Sequence, residues 1–214
     1  MKIAMKIKNT LSLDQFLMLE VRKEYKFCFT RNQLFHFNNF FKNRLTTLYP
    51  ERHISSLYMD TIDFKLYKDS ILADVDKYKC RFRKDTQDRI VLEVKLNNQN
   101  GKFKYKEITK FKSFSEIKYL IYDKKTLYPS LLVDYKREYF KIDDYVRITI
   151  DRDINFTSTP NRSLNKITAK EEMFILEYKI LDNNFVEIEN YFIKNPIAYS
   201  KYNKGIEKAY KVNL

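Results

Sequence analysis

Cations occupy every second position between Lys77 and Arg83, where the chain reads KYKCRFR. Successive side chains of a β-strand point to opposite faces, so this spacing puts the cations on one face and the apolar or aromatic residues on the other. One such strand is typical of a solvated surface. However, the alternation recurs at Arg22/Glu24/Lys26, Glu93/Lys95, Lys102/Lys104/Lys106, Arg137, Arg147 and Glu177/Lys179. Because neighbouring like charges repel, the repetition favours a site for an anion.

The overall charge indicates the same kind of partner. The 214 residues include 41 Lys and Arg against 28 Asp and Glu, a formal net charge of +13. This excess is typical of proteins that bind nucleic acid, a phosphate compound or an anionic membrane surface, and it does not choose among them. The length and the hydrophobic fraction of 44% predict a single folded domain over residues 1–214.

Several kinds of site are excluded by what the sequence lacks. The chain has two glycines, Gly101 and Gly205, and neither opens a helix after a predicted strand, so a glycine-rich phosphate loop cannot be built. Any phosphate must be held by side chains. His36 and His53 are isolated, which argues against a zinc site or a histidine-based hydrolase.

The cysteines and the apolar segments bear on the compartment. Cys28 and Cys80 lie far apart, without metal-ligand spacing. The first residues, MKIAMKIKN, lack the apolar core and cleavage site of a signal peptide. We therefore expect a reducing, cytoplasmic location. No apolar stretch reaches the length needed to span a bilayer.

Hydrophobic periodicity predicts more strands than helices. Strands are expected at about 20–29, 54–60, 76–84, 89–96, 102–109, 131–140, 145–151 and 173–181. Helices are expected from a capping box at Thr30 and Gln33 to Pro50, from Ser113 to Tyr122, and from Asp182 toward Asn195. Pro129 is expected to close the connection that follows the second helix. Residues 11–19 are predicted to form a short helix or edge segment, and 155–170 to be irregular.

This pattern predicts a mainly β (α+β) fold, namely a closed antiparallel eight-stranded β-barrel with flanking helices. If the charged faces turn inward, the barrel is a tunnel lined with cations. If they turn outward, it is an ordinary barrel with an apolar interior, and the alternation fits both arrangements.

Eight short motifs occur in one order along residues 20–206. They are VRKEYKF at 21–27, SLYMDT at 56–61, KCRFR at 79–83, LEVK at 92–95, DYKREYF at 134–140, VRITID at 146–151, LEYK at 176–179 and SKYNKG at 200–205. Together they resemble the VTC domain, the polyphosphate-polymerase branch of the CYTH or triphosphate tunnel metalloenzyme superfamily. The resemblance implies a β-barrel tunnel that binds ATP and inorganic polyphosphate or triphosphate with Mn²⁺ or Mg²⁺, and that transfers the ATP γ-phosphate to a growing polyphosphate chain.

The resemblance also implies site residues. The matching catalytic cations are Lys26, Arg81, Arg83, Lys95, Arg137 and Arg147; the substrate-binding residues are Lys104, Lys106, Tyr135, Lys201 and Lys204; the metal ligand is Glu177. Of the two lysines on the strand after Lys95, Lys106 is favoured because it adjoins Glu107. The residue types suit phosphate, because arginine binds it bidentately and lysine acts as a mobile point charge.

Alternatives within and outside the family remain. Hydrolytic tunnel enzymes begin with E-x-E-x-K, whereas this chain has Arg22-x-Glu24-x-Lys26. The cation in place of the first acid disfavours a metal-dependent inorganic triphosphatase. A non-catalytic polyphosphate-binding module is the other alternative, and the nearly complete set of cations disfavours it. Glu24 and Glu93 are open to metal binding or to ion pairing.

Partners are expected to be phosphate compounds. No nucleic-acid-binding motif is present, so nucleic acid is not an expected partner. Polymerases of this type work alongside membrane segments, so the resemblance leaves room for a separately encoded membrane partner.

Overall fold

The structure is a computed structural model that describes residues 5–6, 17–18, 23–73, 75–99, 101–142, 146–160, 165–180 and 196–211. Within these ranges the chain is mainly β. Its elements are β1 (Met5–Lys6), β2 (Leu17–Met18), β3 (Lys23–Phe29), α1 (Arg31–Phe40), β4 (Leu45–Asp60), α2 (Lys65–Ile71), β5 (Lys77–Lys84), β6 (Ile90–Asn98), β7 (Gly101–Ile108), β8 (Leu120–Tyr122), β9 (Lys125–Ile142), β10 (Val146–Ser158), β11 (Thr168–Glu171), β12 (Phe174–Ile180) and α3 (Lys201–Tyr210).

The strands form one sheet that is antiparallel along its main path. The order of strands on that path is β2-β7-β6-β5-β4-β9-β10-β12-β3. Strand β11 pairs with β10, and β8 pairs antiparallel with β9 and parallel with β1. Sequence neighbours are therefore mostly sheet neighbours, but β3 pairs with β12 from the far end of the described chain.

The prediction of a closed eight-stranded barrel is wrong. In the described ranges no hydrogen bonds join the two ends of the sheet, β2 and β3. In the described part of the chain β2 covers Leu17–Met18, which pair with Phe103 and Lys104. The ends stay near each other all the same, because five chain steps of about 3.8 Å separate Met18 from Lys23, at most about 19 Å. The sheet is curled and open.

The apolar faces of the strands lie under the helices and loops. Helix α1 begins at the predicted capping box, where the Gln33 N–H donates to Thr30 Oγ1 over 3.3 Å, and it buries Phe37 and Phe41 against β3, β10 and β12. Helix α3 buries Tyr202 and Ile206 against β9 and β10. The charged faces are consequently left for the inside of the curl. No helix in the described part of the chain is long and apolar enough to cross a membrane.

Helix α3 depends on a glycine for its close approach to the sheet. A Cβ added at Gly205 would lie 2.3 Å from Leu131 Cδ2 and 2.7 Å from Phe156 Cδ1. Only a residue without a side chain allows the helix to pack at this distance.

Three predicted element boundaries are wrong. Helix α1 ends at Phe40, and Pro50 lies inside β4, next to an irregularity in its pairing with β9. Pro129 lies within β9, again beside such an irregularity, which is where a strand tolerates a residue without an N–H. The helix predicted for 113–122 is a 3₁₀ turn, Phe114–Glu116, followed by β8.

The other predicted elements have mixed outcomes. The region 155–170, predicted to be irregular, includes the end of β10 and most of β11. The helix expected from Asp182 lies outside the described residues, as does most of segment 11–19.

Candidate functional site

The charged faces of the curled sheet enclose a cavity of about 300 Å³. Its lining comes from β3, β4, β5, β6, β7, β9 and β12 and from the start of α3. The lining residues are Glu24, Lys26, Tyr58, Lys79, Arg81, Arg83, Lys95, Lys104, Tyr135, Arg137, Glu177, Lys179, Tyr199, Ser200 and Lys201. In this set, nine side chains are cationic and two are acidic. Alternation along each strand brings them together, since every second residue faces the same side.

The first group at the cavity wall is the Glu93 cluster, in which Glu93 contacts the lining residues Arg81 and Lys104. Arg81 Nε donates to Glu93 Oε2 over 2.8 Å, and its Nη2 donates to the same oxygen. Lys104 Nζ lies 2.9 Å from Glu93 Oε1. Burial disfavours the carboxylate, but the charges of Arg81, Arg83 and Lys104 hold the pKa of Glu93 well below its usual range. Of the two roles open from the sequence, Glu93 has the ion-pairing one in this structure.

The second group is the Asp151 cluster, made of Asp151, Arg137 and Lys201. Arg137 donates to both carboxylate oxygens, with 2.7 Å between Nη2 and Oδ2. Lys201 Nζ donates to Oδ2 and lies 4.7 Å from the centroid of the Tyr135 ring. Burial opposes ionisation, but Lys201 and Arg137 lower the pKa of Asp151. The side chain of Asp151 is 0% exposed, so the two cations offset the cost of removing its charge from water.

A third group, the lysine row, joins Lys104 of the Glu93 cluster to two lysines without a carboxylate partner in the described residues. Lys79, Lys95 and Lys104 lie side by side as register partners on β5, β6 and β7. Burial, together with the charges of Arg81 and Lys104, lowers the pKa of Lys95 to about 7. Burial also lowers the pKa of Lys104 to about 8, although Glu93 opposes the shift. In the part of the chain that the structure describes, Lys95 makes no ion pair, and Lys79 bonds to the neutral Ser200 hydroxyl at 3.0 Å.

Arg83 is a further cation with neutral partners. Its Nε donates to Ser56 Oγ over 3.0 Å, and its Nη2 donates to the Tyr135 hydroxyl over 3.2 Å. These bonds fix the direction of the guanidinium without neutralising it. Arg83, Lys79 and Lys95 therefore form the part of the wall where an anion from solution gains most.

The fourth group is a checkerboard of charges on the paired strands β3 and β12. Lys26 stands opposite Glu177, and Glu24 stands opposite Lys179. Lys179 Nζ lies 2.9 Å from Glu177 Oε1 and 3.3 Å from Glu24 Oε2. Lys26 Nζ lies 3.1 Å from Glu24 Oε1. Burial opposes ionisation of Glu177, but Lys179, Arg137 and Lys26 lower its pKa to about 2.

Most of the residues predicted from the sequence meet in this cavity. Those that line it are Lys26, Arg81, Arg83, Lys95, Lys104, Tyr135, Arg137, Glu177 and Lys201. Three do not. Arg147 is exposed on the cavity-facing side of β10, in register with Lys179. Lys106, favoured over Lys104 from the sequence, is 57% exposed and 3.9 Å from Glu93. Lys204 is exposed on α3 and pairs with Glu207 at 3.1 Å.

The prediction of the site omitted several lining residues. Lys79 and Lys179 follow the same every-second-residue pattern as their neighbours, so the alternation alone contained the signal for both. Tyr58 is in the SLYMDT motif, where its hydroxyl accepts from Arg81 Nη1 at 3.1 Å. Tyr199 and Ser200 lie in the loop before α3, and no periodic pattern marks them.

The acids of the cavity fit a divalent metal only in part. Mg²⁺ and Mn²⁺ are commonly held by one or two carboxylates together with substrate phosphates and water. Glu177 and Glu24 supply such carboxylates, and both already contact the same ammonium of Lys179. The described residues contain no group of three His, Cys, Asp or Glu side chains that could hold a metal ion. The donor set therefore fits a metal shared with phosphate oxygens, and not one held by protein ligands alone.

Fold and site together define an antiparallel β protein with a cation-lined interior. The family model of the VTC domain matches residues 21–113 and 104–210. The chain belongs to the VTC domain family, a family of polyphosphate and triphosphate tunnel proteins. The resemblance inferred from the eight motifs is thereby confirmed. No curated protein matches the chain.

The chain is similar to solved structures at low sequence identity. The PH1819 protein from Pyrococcus horikoshii OT3 superposes with a TM-score of 0.50 at 13% identity, covering 89% of this chain and 99% of that one. At this identity the likeness to the PH1819 protein concerns the fold alone. A candidate adenylate cyclase from Vibrio parahaemolyticus has a TM-score of 0.42 at 13% identity, covering 80% of this chain and 82% of that one.

Proposed function

We propose that this VTC domain is a polyphosphate polymerase that transfers the γ-phosphate of ATP to a polyphosphate chain inside the cavity. The observation that carries the proposal is the lining, in which nine cations face two acids within about 300 Å³. A linear phosphate chain presents many equivalent anionic oxygens, so its site needs many donors and few acceptors. At 4 Å a pair of unit charges is worth about 4 kcal/mol at an effective dielectric near 20, against about 1 kcal/mol in water. Enclosure therefore strengthens each contact.

Phosphoryl transfer requires positioning and charge neutralisation more than a covalent catalyst. Arg81 and Arg137 are held in place by Glu93 and Asp151, so their guanidinium groups are oriented before a ligand arrives. Arg83 and Lys95 have no carboxylate partner within 4 Å in the described ranges and are assigned to the phosphates directly. Lys26, whose Nζ donates to the Tyr199 carbonyl at 3.2 Å, neutralises the chain end or the transferred group.

A divalent metal at Glu177 and Glu24 would neutralise further charge on the phosphate oxygens. Glu177 is ionised across the physiological range, because its pKa is about 2. The Glu177→Gln variant is expected to lose metal-stimulated turnover, and unchanged stimulation would remove this role from Glu177.

The remaining predicted residues lie toward the rim and the far wall. Arg147 and Lys106, both exposed, are assigned to chain segments that extend beyond the cavity. Lys204, which is exposed on α3, is assigned the same role. Tyr135 lies beside Arg137 and Lys201, with its ring 5.3 Å from the Arg137 guanidinium carbon, and supports both cations.

The deciding experiment incubates the purified protein with ATP and Mn²⁺ or Mg²⁺ and assays for long-chain polyphosphate. Arg83→Gln should lose synthesis, whereas Arg89→Gln, an exposed arginine paired with Asp85, is the matched control and should keep it. Release of orthophosphate from tripolyphosphate without synthesis would indicate a triphosphatase. Tight binding of tripolyphosphate without turnover would indicate a binding module.

A further inference from the structure

Lys179 holds a position that a metal ion would be expected to take. Its ammonium contacts Glu177 and Glu24, the two acids that line the cavity. Glu24 is in turn shared with Lys26. In this checkerboard two lysines balance two glutamates, so the carboxylates have their counter-charge without any metal.

A metal ion approaching the ligand-free cavity would meet unfavourable charges. Beyond the checkerboard, Arg137 contributes to the low pKa of Glu177, and Arg147 stands beside Lys179 in the sheet. To reach both carboxylates, a divalent cation must displace the Lys179 ammonium and enter a wall that is already cationic. A phosphate chain reverses this balance, because it brings several negative charges and offers Lys179 a new partner within reach of its flexible stem.

We propose that Lys179 substitutes for the metal between Glu24 and Glu177 in the ligand-free protein, and that a bound phosphate chain draws it away and admits the metal. Metal and phosphate then bind with positive coupling, each raising the affinity for the other. The coupling rests on the proposed function, whereas the exclusion of metal by Lys179 is a property of the ligand-free protein. Lys179 is a positioning residue in this scheme, because it regulates whether the metal can bind.

The test measures Mn²⁺ binding by the enhancement of water-proton relaxation, which distinguishes Mn²⁺ on the slowly tumbling protein from free Mn²⁺ or its small tripolyphosphate complex. Wild type, Lys179→Met, Lys179→Arg and Lys65→Met are compared with and without tripolyphosphate. Lys65 is a matched control because its ion pair with Asp69 is exposed and remote from the cavity. Circular dichroism and the melting temperature establish that each variant is folded.

Without phosphate, Lys179→Met should bind Mn²⁺ roughly tenfold or more tightly than wild type, because the competing charge is gone. Lys179→Arg and Lys65→Met should match wild type. Tripolyphosphate should raise the wild-type affinity for Mn²⁺ and raise that of Lys179→Met much less. Equal Mn²⁺ affinities of wild type and Lys179→Met without phosphate would overturn the proposal. If Lys179→Met does not fold, a wild-type affinity unchanged by tripolyphosphate overturns it instead.

Calorimetric titration of tripolyphosphate in the presence of EDTA separates this inference from the proposed function. Absence of tripolyphosphate binding would refute the phosphate site itself. In that case tighter Mn²⁺ binding by Lys179→Met would still support the substitution of Lys179 for the metal, and equal binding would refute both.

Discussion

In the Glu93 and Asp151 clusters alike, one carboxylate holds an arginine and a lysine, but the two clusters connect different parts of the molecule. In each, a buried carboxylate holds an arginine that is its register partner on the next strand, Arg81 or Arg137, and also a lysine. In the Glu93 cluster the lysine, Lys104, lies on the adjoining strand, so the group stays within the sheet. In the Asp151 cluster the lysine belongs to α3, so the same ion pairs also fasten a helix to the sheet. Both acids therefore fix the positions of cations. Asp151 also attaches α3, whose first residue, Lys201, is part of the cavity wall.

The comparison predicts its largest effect at Asp151. Asp151→Asn would leave Arg137 and Lys201 buried without a counter-charge and would release α3, at a cost of about 3–5 kcal/mol in the free energy of unfolding. Urea unfolding measured by circular dichroism checks this. A loss below about 1 kcal/mol would mean that Asp151 does not anchor the helix.

Glu93→Gln should destabilise the protein less than Asp151→Asn, by about 2–3 kcal/mol. Lys104 is 19% exposed, so water can take over part of its solvation, and no helix depends on the pair. The same unfolding experiment applies. If the two variants lost the same free energy of unfolding, the attachment of α3 by Asp151 would add nothing measurable to stability.

Gly205→Ala tests the docking of α3 without touching a charge. The added methyl group would overlap Leu131 and Phe156, and overpacking of this kind costs about 1–3 kcal/mol. Because Lys201 is on the same helix, affinity for tripolyphosphate should fall together with stability. A variant that loses stability but binds tripolyphosphate normally would separate the helix from the site.

The smallest effect concerns the lysine row, in which three lysines lie side by side and Lys104 has the only acidic partner described, Glu93. The pKa of Lys95 is about 7 and that of Lys104 about 8, both below the usual value for lysine. The unfolded chain therefore binds more protons from about pH 7 to pH 10. The ligand-free protein should become more stable as the pH rises through this window, and its melting temperature should rise by a few degrees.

Tripolyphosphate, by contrast, should bind more tightly at pH 6 than at pH 9, since protonated lysines attract it. Lys95→Met should flatten both pH profiles in differential scanning fluorimetry and calorimetry. Profiles identical to wild type would show that Lys95 does not titrate in this range.

Much of the fold followed from one local rule. Alternation located most of the strands, because the side of a strand on which a residue lies depends only on its parity. Closure of the sheet did not follow, since it depends on the curvature of the whole sheet and not on the parity of residues in any one strand. The predicted roles of Pro50 and Pro129, as the end of a helix and of a connection, are wrong for a related reason. Pairing irregularities accommodate both prolines inside β4 and β9.

The site was predictable where its residues lie on strands. Arg81, Arg83 and Lys95 were found from short motifs, and the same alternation extends to Lys79 and Lys179. The contribution of Tyr199 could not be predicted, because a loop reaches the cavity only after α3 has docked. Ser200 begins the SKYNKG motif, but no periodic pattern places its side chain at the cavity. Which of Lys104 and Lys106 lines the cavity depends on Glu93, whose carboxylate lies 2.9 Å from Lys104 and 3.9 Å from the mostly exposed Lys106.

The pairing of β3 with β12 also bears on how the protein is made. Glu24 forms an ion pair with Lys179. The Tyr202 hydroxyl donates a hydrogen bond to Asp60, which lies 142 positions earlier in the sequence. Contacts between such distant residues form slowly, and during translation they must wait for the later partner to leave the ribosome. The growing chain can assemble β4 to β7 early, but the first and last walls of the cavity come together only after residues 174–210 have been synthesised. Until then the cations of β5 to β7 face water, and the site matures as a late event in biosynthesis.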